Sequence, residues 1–290
     1  MSRIQEILKK AERDGAVHRT RAVTVDRPVA TSGSAALAEA HPIIMPPPAA
    51  PAAPTLSAAR AAVANAIDHR LVAALAPQSL AAEQYRSLRT RVARAENGRA
   101  LRTIVITSPN KGDGKSLTAA NLALTMAQEY QQRVLLLDAD LRRPSLHRLF
   151  GISDTPGLSD VLMGGAELDE ALVTMSEYRL TLLPAGLLPT HPAELLGSAP
   201  MRRVLDTLRT RFDRILIDMP PVAPLADVAI ASPLADGVLM IVRAGVTPKP
   251  AIERALSGLD QTKVLGLVLN DAGESNAAYG YGGGYGYVAG

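Results

Sequence analysis

One stretch constrains this chain more than any other: Ser108-Pro109-Asn110-Lys111-Gly112-Asp113-Gly114-Lys115-Ser116. Before it lies the apolar, β-branched run Thr103 to Thr107, and after it Lys115 to Gln131 carries a helical pattern. A glycine loop between a buried strand and a helix start is the setting of a P-loop. Gly112 and Gly114 permit the tight turn that aims successive N–H groups at phosphate oxygens. The helix N-terminus adds partial positive charge. Lys115 can then reach β- and γ-phosphates, and the Ser116 hydroxyl can ligate Mg²⁺. Gly112, Asp113, Gly114, Lys115, Ser116 and Leu117 are therefore the expected cradle for ATP with Mg²⁺. The match to G-x-x-x-x-G-K-[ST] is partial, because Pro109 stands where the pattern has glycine.

Further apolar runs predict strands at Val134 to Leu137, Leu180 to Leu183, Arg214 to Ile217, Gly237 to Val242 and Val264 to Leu269. Helical patterns fall at about 81–94, 200–211, 225–231 and 248–259. Near-continuous apolar strands alternating with helices predict an α/β class: a doubly wound, mainly parallel sheet covered on both faces. Two of the strands end in acids. The first runs into Asp138-Ala139-Asp140-Leu141-Arg142, and continued strand alternation would put Asp138 and Asp140 on one side. The second runs into Asp218-Met219-Pro220-Pro221, where Asp218 reads as a Walker B carboxylate for Mg²⁺. Both ends lie at the carboxyl edge of the sheet, where α/β folds bind ligands. An aspartate after a strand is about as often a cap or turn residue, but two beside a P-loop favour the metal role. Asn270, just after the last strand, is read either as an adenine contact or as a turn residue.

Composition removes several alternatives. The 290 residues include no cysteine, which excludes disulfides, thiolate catalysis and thiolate-held iron–sulfur or zinc sites. A net charge of +3, with no interleaving of basic and aromatic residues, gives no reason to expect a nucleic-acid partner. The layout expected is a short amphipathic helix at 1–14 (Ile4, Ile7, Leu8 and Ala11 at helical spacing), a Pro/Ala-rich linker at 15–69, a nucleotide domain at 70–272 and a tail at 273–290. No apolar stretch reaches the roughly 18 residues of a membrane span, so a cytoplasmic protein is expected.

The tail is Gly-rich and cannot build a core. Of seven tyrosines in the chain, four lie in it: Tyr279, Tyr281, Tyr285 and Tyr287. They read either as a low-complexity aromatic segment or as phosphoacceptors. About 15 flexible residues reach roughly 20 Å, so a last strand parallel to the P-loop strand would deliver them to the ATP edge.

Taken together, these residues resemble the bacterial tyrosine kinases, the P-loop autokinases of polysaccharide synthesis and export. The resemblance spans roughly 70–290. It rests on the Gly112-to-Ser116 loop, the Asp138-x-Asp140-x-Arg142 strand end, Asp218-x-Pro220-Pro221, the Glu83-x-x-Arg86-x-x-Arg89 pattern and the tyrosine tail. It implies autophosphorylation of that tail, with Lys115, Asp138 and Asp140 catalytic and Ser116, Asp138 and Asp218 at the metal. Asp138 would serve as base, and Arg142 would neutralise charge nearby. Glu83, Arg86 and Arg89 would make subunit contacts in a homo-oligomer such as a ring. It also implies the stand-alone subclass, whose partner is a membrane chain-length-determinant protein, so that membrane association is indirect. Lys111 departs from the proline usual in the family.

Two other readings share the motifs. A partitioning or positioning ATPase would carry a lysine at the slot of Asn110, and would have no use for the tyrosines. A nucleotide-gated, non-enzymatic regulator of a polysaccharide exporter is barely distinguished by sequence, though intact Lys115, Asp138 and Asp218 favour turnover.

Overall fold

The computed structural model describes residues 67–96, 101–129, 132–222, 228, 230 and 232–272. Seven strands form one sheet: β1 (Thr103–Thr107), β2 (Val134–Asp138), β3 (Val173–Met175), β4 (Leu180–Leu183), β5 (Arg214–Asp218), β6 (Gly237–Arg243) and β7 (Val264–Asn270). Their order is β3-β4-β2-β5-β1-β6-β7. Every neighbouring pair is parallel except β3 with β4. The helices among the described residues are α1 (Val72–Leu75), α2 (Leu80–Arg94), α3 (Lys115–Ala127), α4 (Leu146–Phe150), α5 (Leu158–Leu162), α6 (Leu168–Ala171), α7 (Pro192–Leu196), α8 (Ala199–Arg211) and α9 (Lys249–Ser257).

The central strands read as unbroken apolar runs because both of their faces are covered. Alternation then assigns each residue to one of two cores. Val105, Leu135, Leu137, Ile215, Ile217, Val238 and Met240 pack with Leu158, Leu205, Leu208, Ile252 and Leu256 from α5, α8 and α9. Their neighbours Ile104, Ile106, Leu136, Leu216, Leu239 and Ile241 pack on the other face with Val92, Leu122, Leu124, Met126 and Phe150 from α2, α3 and α4. Helix α3 is buried continuously from Thr118 to Ala127. Its alanines at 119, 120, 123 and 127 let it lie close between the sheet and α2.

Local chemistry sets the helix ends. Ser79 caps α2 by accepting from the Ala82 N–H at 3.1 Å, and Ser198 caps α8 through the Met201 N–H at 3.3 Å. Such caps contribute about 1 kcal/mol each. Buried Asn121 ties the start of the described chain to α3: its Oδ1 accepts from the Ala73 N–H, and its Nδ2 donates to the Arg70 carbonyl.

The mainly parallel sheet agrees with the sequence reading. Strands β2, β5, β6 and β7 run one residue further than expected, so Asp138 and Asp218 close their strands rather than follow them. Helix α3 stops at Ala127 instead of continuing to Gln131. Only 228 and 230 of the helix expected at 225–231 are described. The amphipathic helix at 1–14, most of the linker and the tyrosine tail lie outside the described residues.

Candidate active site

Topology brings the site together. Strands β2, β5 and β1 are adjacent and parallel, so the two acidic strand ends and the P-loop emerge side by side at one edge. Asp138 and Asp218 are register partners across β2 and β5, and Ile106 of β1 is the partner of Asp218.

The P-loop leaves β1 and enters α3 through Gly114, which holds φ of +96°. Gly112 is also left-handed, at +88°, so both glycines are required by backbone sterics. Lys115 curls back over the loop. Its Nζ lies 2.8 Å from Asp140 Oδ2 and 3.4 Å from Asp218 Oδ1, and donates to Ser116 Oγ at 3.1 Å. Burial works against its charge, but Asp218 and Asp140 outweigh it and raise its pKa.

Asp138 is fully buried. Its Oδ1 accepts from the Asp140 N–H at 3.1 Å, and its Oδ2 accepts from the N–H groups of Ser145 and Leu146, each at 3.0 Å. Burial, with Asp218 adding to it, pushes the Asp138 carboxyl up to about 7 against the pull of those donors. Burial likewise raises Asp218, opposed by Lys115. The continued strand that was expected to align Asp138 and Asp140 does not form. β2 ends at Asp138, and its side chain accepts from the backbone two residues on, turning the chain. Asp140 still reaches Lys115, by way of a turn rather than by alternation.

Asn270 stands against the loop, its Nδ2 donating to the Asp113 carbonyl at 2.9 Å. Glu83, Arg86 and Arg89 lie away from this edge, on α2. Arg86 pairs with Glu83 and donates to the Pro77 carbonyl at 2.8 Å. Arg89 donates to the Thr125 carbonyl at the end of α3 and pairs with Glu129 at 2.9 Å. Sequence reasoning missed Thr247, whose hydroxyl donates to Asp113 Oδ1 at 2.7 Å. No local pattern marks it, because the contact joins segments far apart in the chain.

The donor set suits a hard cation. Asp218 Oδ2 is buried without a protein partner, and the Ser116 hydroxyl sits beside Lys115. Among the described residues, no group of three or more His, Cys, Asp or Glu is arranged to hold a metal. Mg²⁺ asks for little more than this, since it takes one or two carboxylates and completes its shell with phosphate oxygens and water.

A family described as ParA, NUBPL iron-transfer P-loop NTPase, matches residues 99–274. With no cysteine in the chain, a thiolate-held iron centre would have no ligands here. The tyrosine-protein kinase YwqD of Bacillus subtilis (strain 168) is 36% identical over 218 residues, covering 74% of this chain and 92% of that one. The chain belongs to the bacterial tyrosine-protein kinases. The solved kinase domain of the Escherichia coli tyrosine kinase ETK superposes with a TM-score of 0.68 at 30% identity, covering 75% of this chain and 84% of that one. A putative tyrosine-protein kinase, EpsB of Ralstonia nicotianae (strain ATCC BAA-1114 / GMI1000), is also 36% identical over 218 residues, 74% of this chain. The match spans only 29% of that relative's length. No helix among the described residues is long and apolar enough to cross a membrane. In this tyrosine-protein kinase the P-loop, Lys115, Asp140 and Asp218 thus meet at one sheet edge, with Asp138 beside Asp218.

Proposed function

We propose that this kinase transfers the γ-phosphoryl group of Mg·ATP to the tyrosines of its own tail, Tyr279, Tyr281, Tyr285 and Tyr287. The observation that carries the reading is the placement of β7. It runs parallel to β6 and β6 to β1, and it ends with Asn270 hydrogen-bonded to the P-loop. The described chain therefore ends, at residue 272, on the nucleotide edge. The reach of roughly 20 Å expected for about 15 flexible residues would give the tyrosines an effective concentration on the order of millimolar.

The N–H groups of the loop and α3 bind the phosphates, and Lys115 stabilises charge on the oxygens being transferred. Ser116 and Asp218 hold Mg²⁺, which when bound neutralises phosphate charge and orients the γ-phosphoryl group. Asp138 contributes to the metal site and accepts the tyrosine proton. Asp140 positions Lys115 through its ion pair. Asn270 acts first as a strut for the loop, with adenine contact a second role. By analogy with its relatives, the protein regulates synthesis or export of an exopolysaccharide or capsule. Its partner is a membrane chain-length-determinant protein, which brings it to the inner face of the membrane, and α2 contributes to a homo-oligomer.

Phosphotransfer from labelled ATP tests the proposal, with the cytoplasmic segment of a candidate membrane partner both present and absent. Lys115→Met should lower tail labelling by about 100-fold or more, and Phe at all four tail tyrosines should abolish it. Absence of phosphotyrosine in the parent protein under every condition would refute the autokinase reading. Full biological activity of Lys115→Met would favour regulation by binding alone.

A further inference from the structure

The P-loop is braced from outside itself. Asp113, in the middle of the loop, is a carboxylate with only 2% exposure. A negative group here would repel phosphate if it were free to turn toward it. Both oxygens are instead engaged: Oδ2 accepts from the Asn110 N–H at 2.8 Å, and Oδ1 accepts from the Thr247 hydroxyl at 2.7 Å.

Thr247 closes the turn that follows β6. Its N–H donates to the Arg243 carbonyl at 3.0 Å, and its Oγ1 accepts from the Arg243 N–H at 2.9 Å. Its hydroxyl hydrogen is thus committed to Asp113. Asn270, at the end of β7, supplies the second contact. Its Nδ2 donates to the Asp113 carbonyl at 2.9 Å, while its own backbone carbonyl accepts from the Ala244 N–H at 2.8 Å. The same Nδ2 stands 2.0 Å from where a Cβ on Gly114 would be. Two strand ends therefore grip one residue of the loop from two directions.

We infer that Thr247 and Asn270 are positioning residues for nucleotide binding. They hold Asp113, and through it the loop, in the conformation whose N–H groups converge on phosphate, and Thr247 does so without touching the nucleotide. The inference rests on the nucleotide reading of the site. A loop released from its brace loses ground-state and transition-state phosphate binding alike, so KM for ATP rises while kcat is retained.

The test uses the full chain, titrated with a fluorescent ADP in the presence of Mg²⁺, alongside steady-state phosphotransfer. Thr247→Val removes the hydroxyl at nearly constant shape, Thr247→Ser keeps it, and Asn270→Ala cuts the second contact. Thr247→Val and Asn270→Ala should each weaken ADP binding about tenfold, as loss of one such hydrogen bond implies. For Thr247→Val, KM for ATP should rise in parallel with kcat within about threefold of the parent, and Thr247→Ser should restore affinity. Parental affinity in Thr247→Val or Asn270→Ala overturns the inference. So does a fall in kcat at unchanged KM, or a serine variant as weak as the valine. If Thr247→Val does not fold, Thr247→Ala removes the same hydroxyl and is judged by the same outcomes. A parent that binds no ADP removes the nucleotide reading, and the brace with it.

Discussion

At the residue scale, burial makes Asp138 and Asp218 hold protons more tightly than acids in water. Asp138 has an ordinary pKa of 3.8 and is raised to about 7 in the folded chain. An acid raised on folding favours the folded state while protonated, and that contribution is lost as pH rises from its unfolded value through its folded one. In nucleotide-free, metal-free protein, the Asp138 contribution should therefore fall between about pH 4 and pH 7. Thermal midpoints measured across that range should decline more steeply for the parent than for Asp138→Asn, and parallel curves would contradict the assignment. Gly114→Ala is expected to cost about 1–3 kcal/mol for its left-handed backbone alone, on top of the collision with Asn270. Calorimetric melting would show the loss, and Asn270→Ala in the same chain should recover part of it. The loop, the lysine and the acids were legible in the sequence because each belongs to a local pattern on a strand end. Thr247 was not, because a threonine in a turn carries no signal of what it meets across the fold. Nor was the turn at Asp138, which replaces the strand geometry expected for Asp140.

At the scale of elements, long apolar runs announced β1, β2, β5 and β6 because burial on both faces leaves little polar interruption, and half-buried β7 at the border carries a similar run. Strand β3 has three residues, and helices α4 to α7 have four or five each. Elements that short complete too little of a period to be read. Their positions come from tertiary partners, as when the carboxylate of Asp138 takes the first N–H groups of α4. The pattern on α2 is a further case. Its arginines were read as subunit contacts, yet within one chain Arg89 already holds α2 to the end of α3. Arg89→Ala should lower stability by about 1 kcal/mol or less, given the partial exposure of the pair. Chemical denaturation under dissociating conditions measures this without interference from assembly.

At the scale of the whole molecule, the parallel order places the start and finish of the nucleotide domain's chemistry at one edge. β1 opens into the P-loop near the middle of the sheet, and β7, at its border, ends against that loop through Asn270. Each phosphate on the tyrosine tail adds between about −1.5 and −2 charges. Several on one tail should repel one another and loosen the subunit contacts proposed for Arg86 and Arg89. Light scattering of phosphorylated and dephosphorylated protein should therefore show different assembly sizes, and equal sizes would exclude such a switch.

The contact between Gly114 and Asn270 has a historical consequence as well. The amide of one residue occupies the space that any side chain at the other would need. Across descendants of a common ancestor, these two positions cannot drift separately. A lineage that replaced the asparagine with something bulkier would have to remodel the loop, and one that lost the glycine would have to shorten its partner. Their substitutions should be correlated, although one lies at the mouth of the third helix and the other at the tip of the last strand.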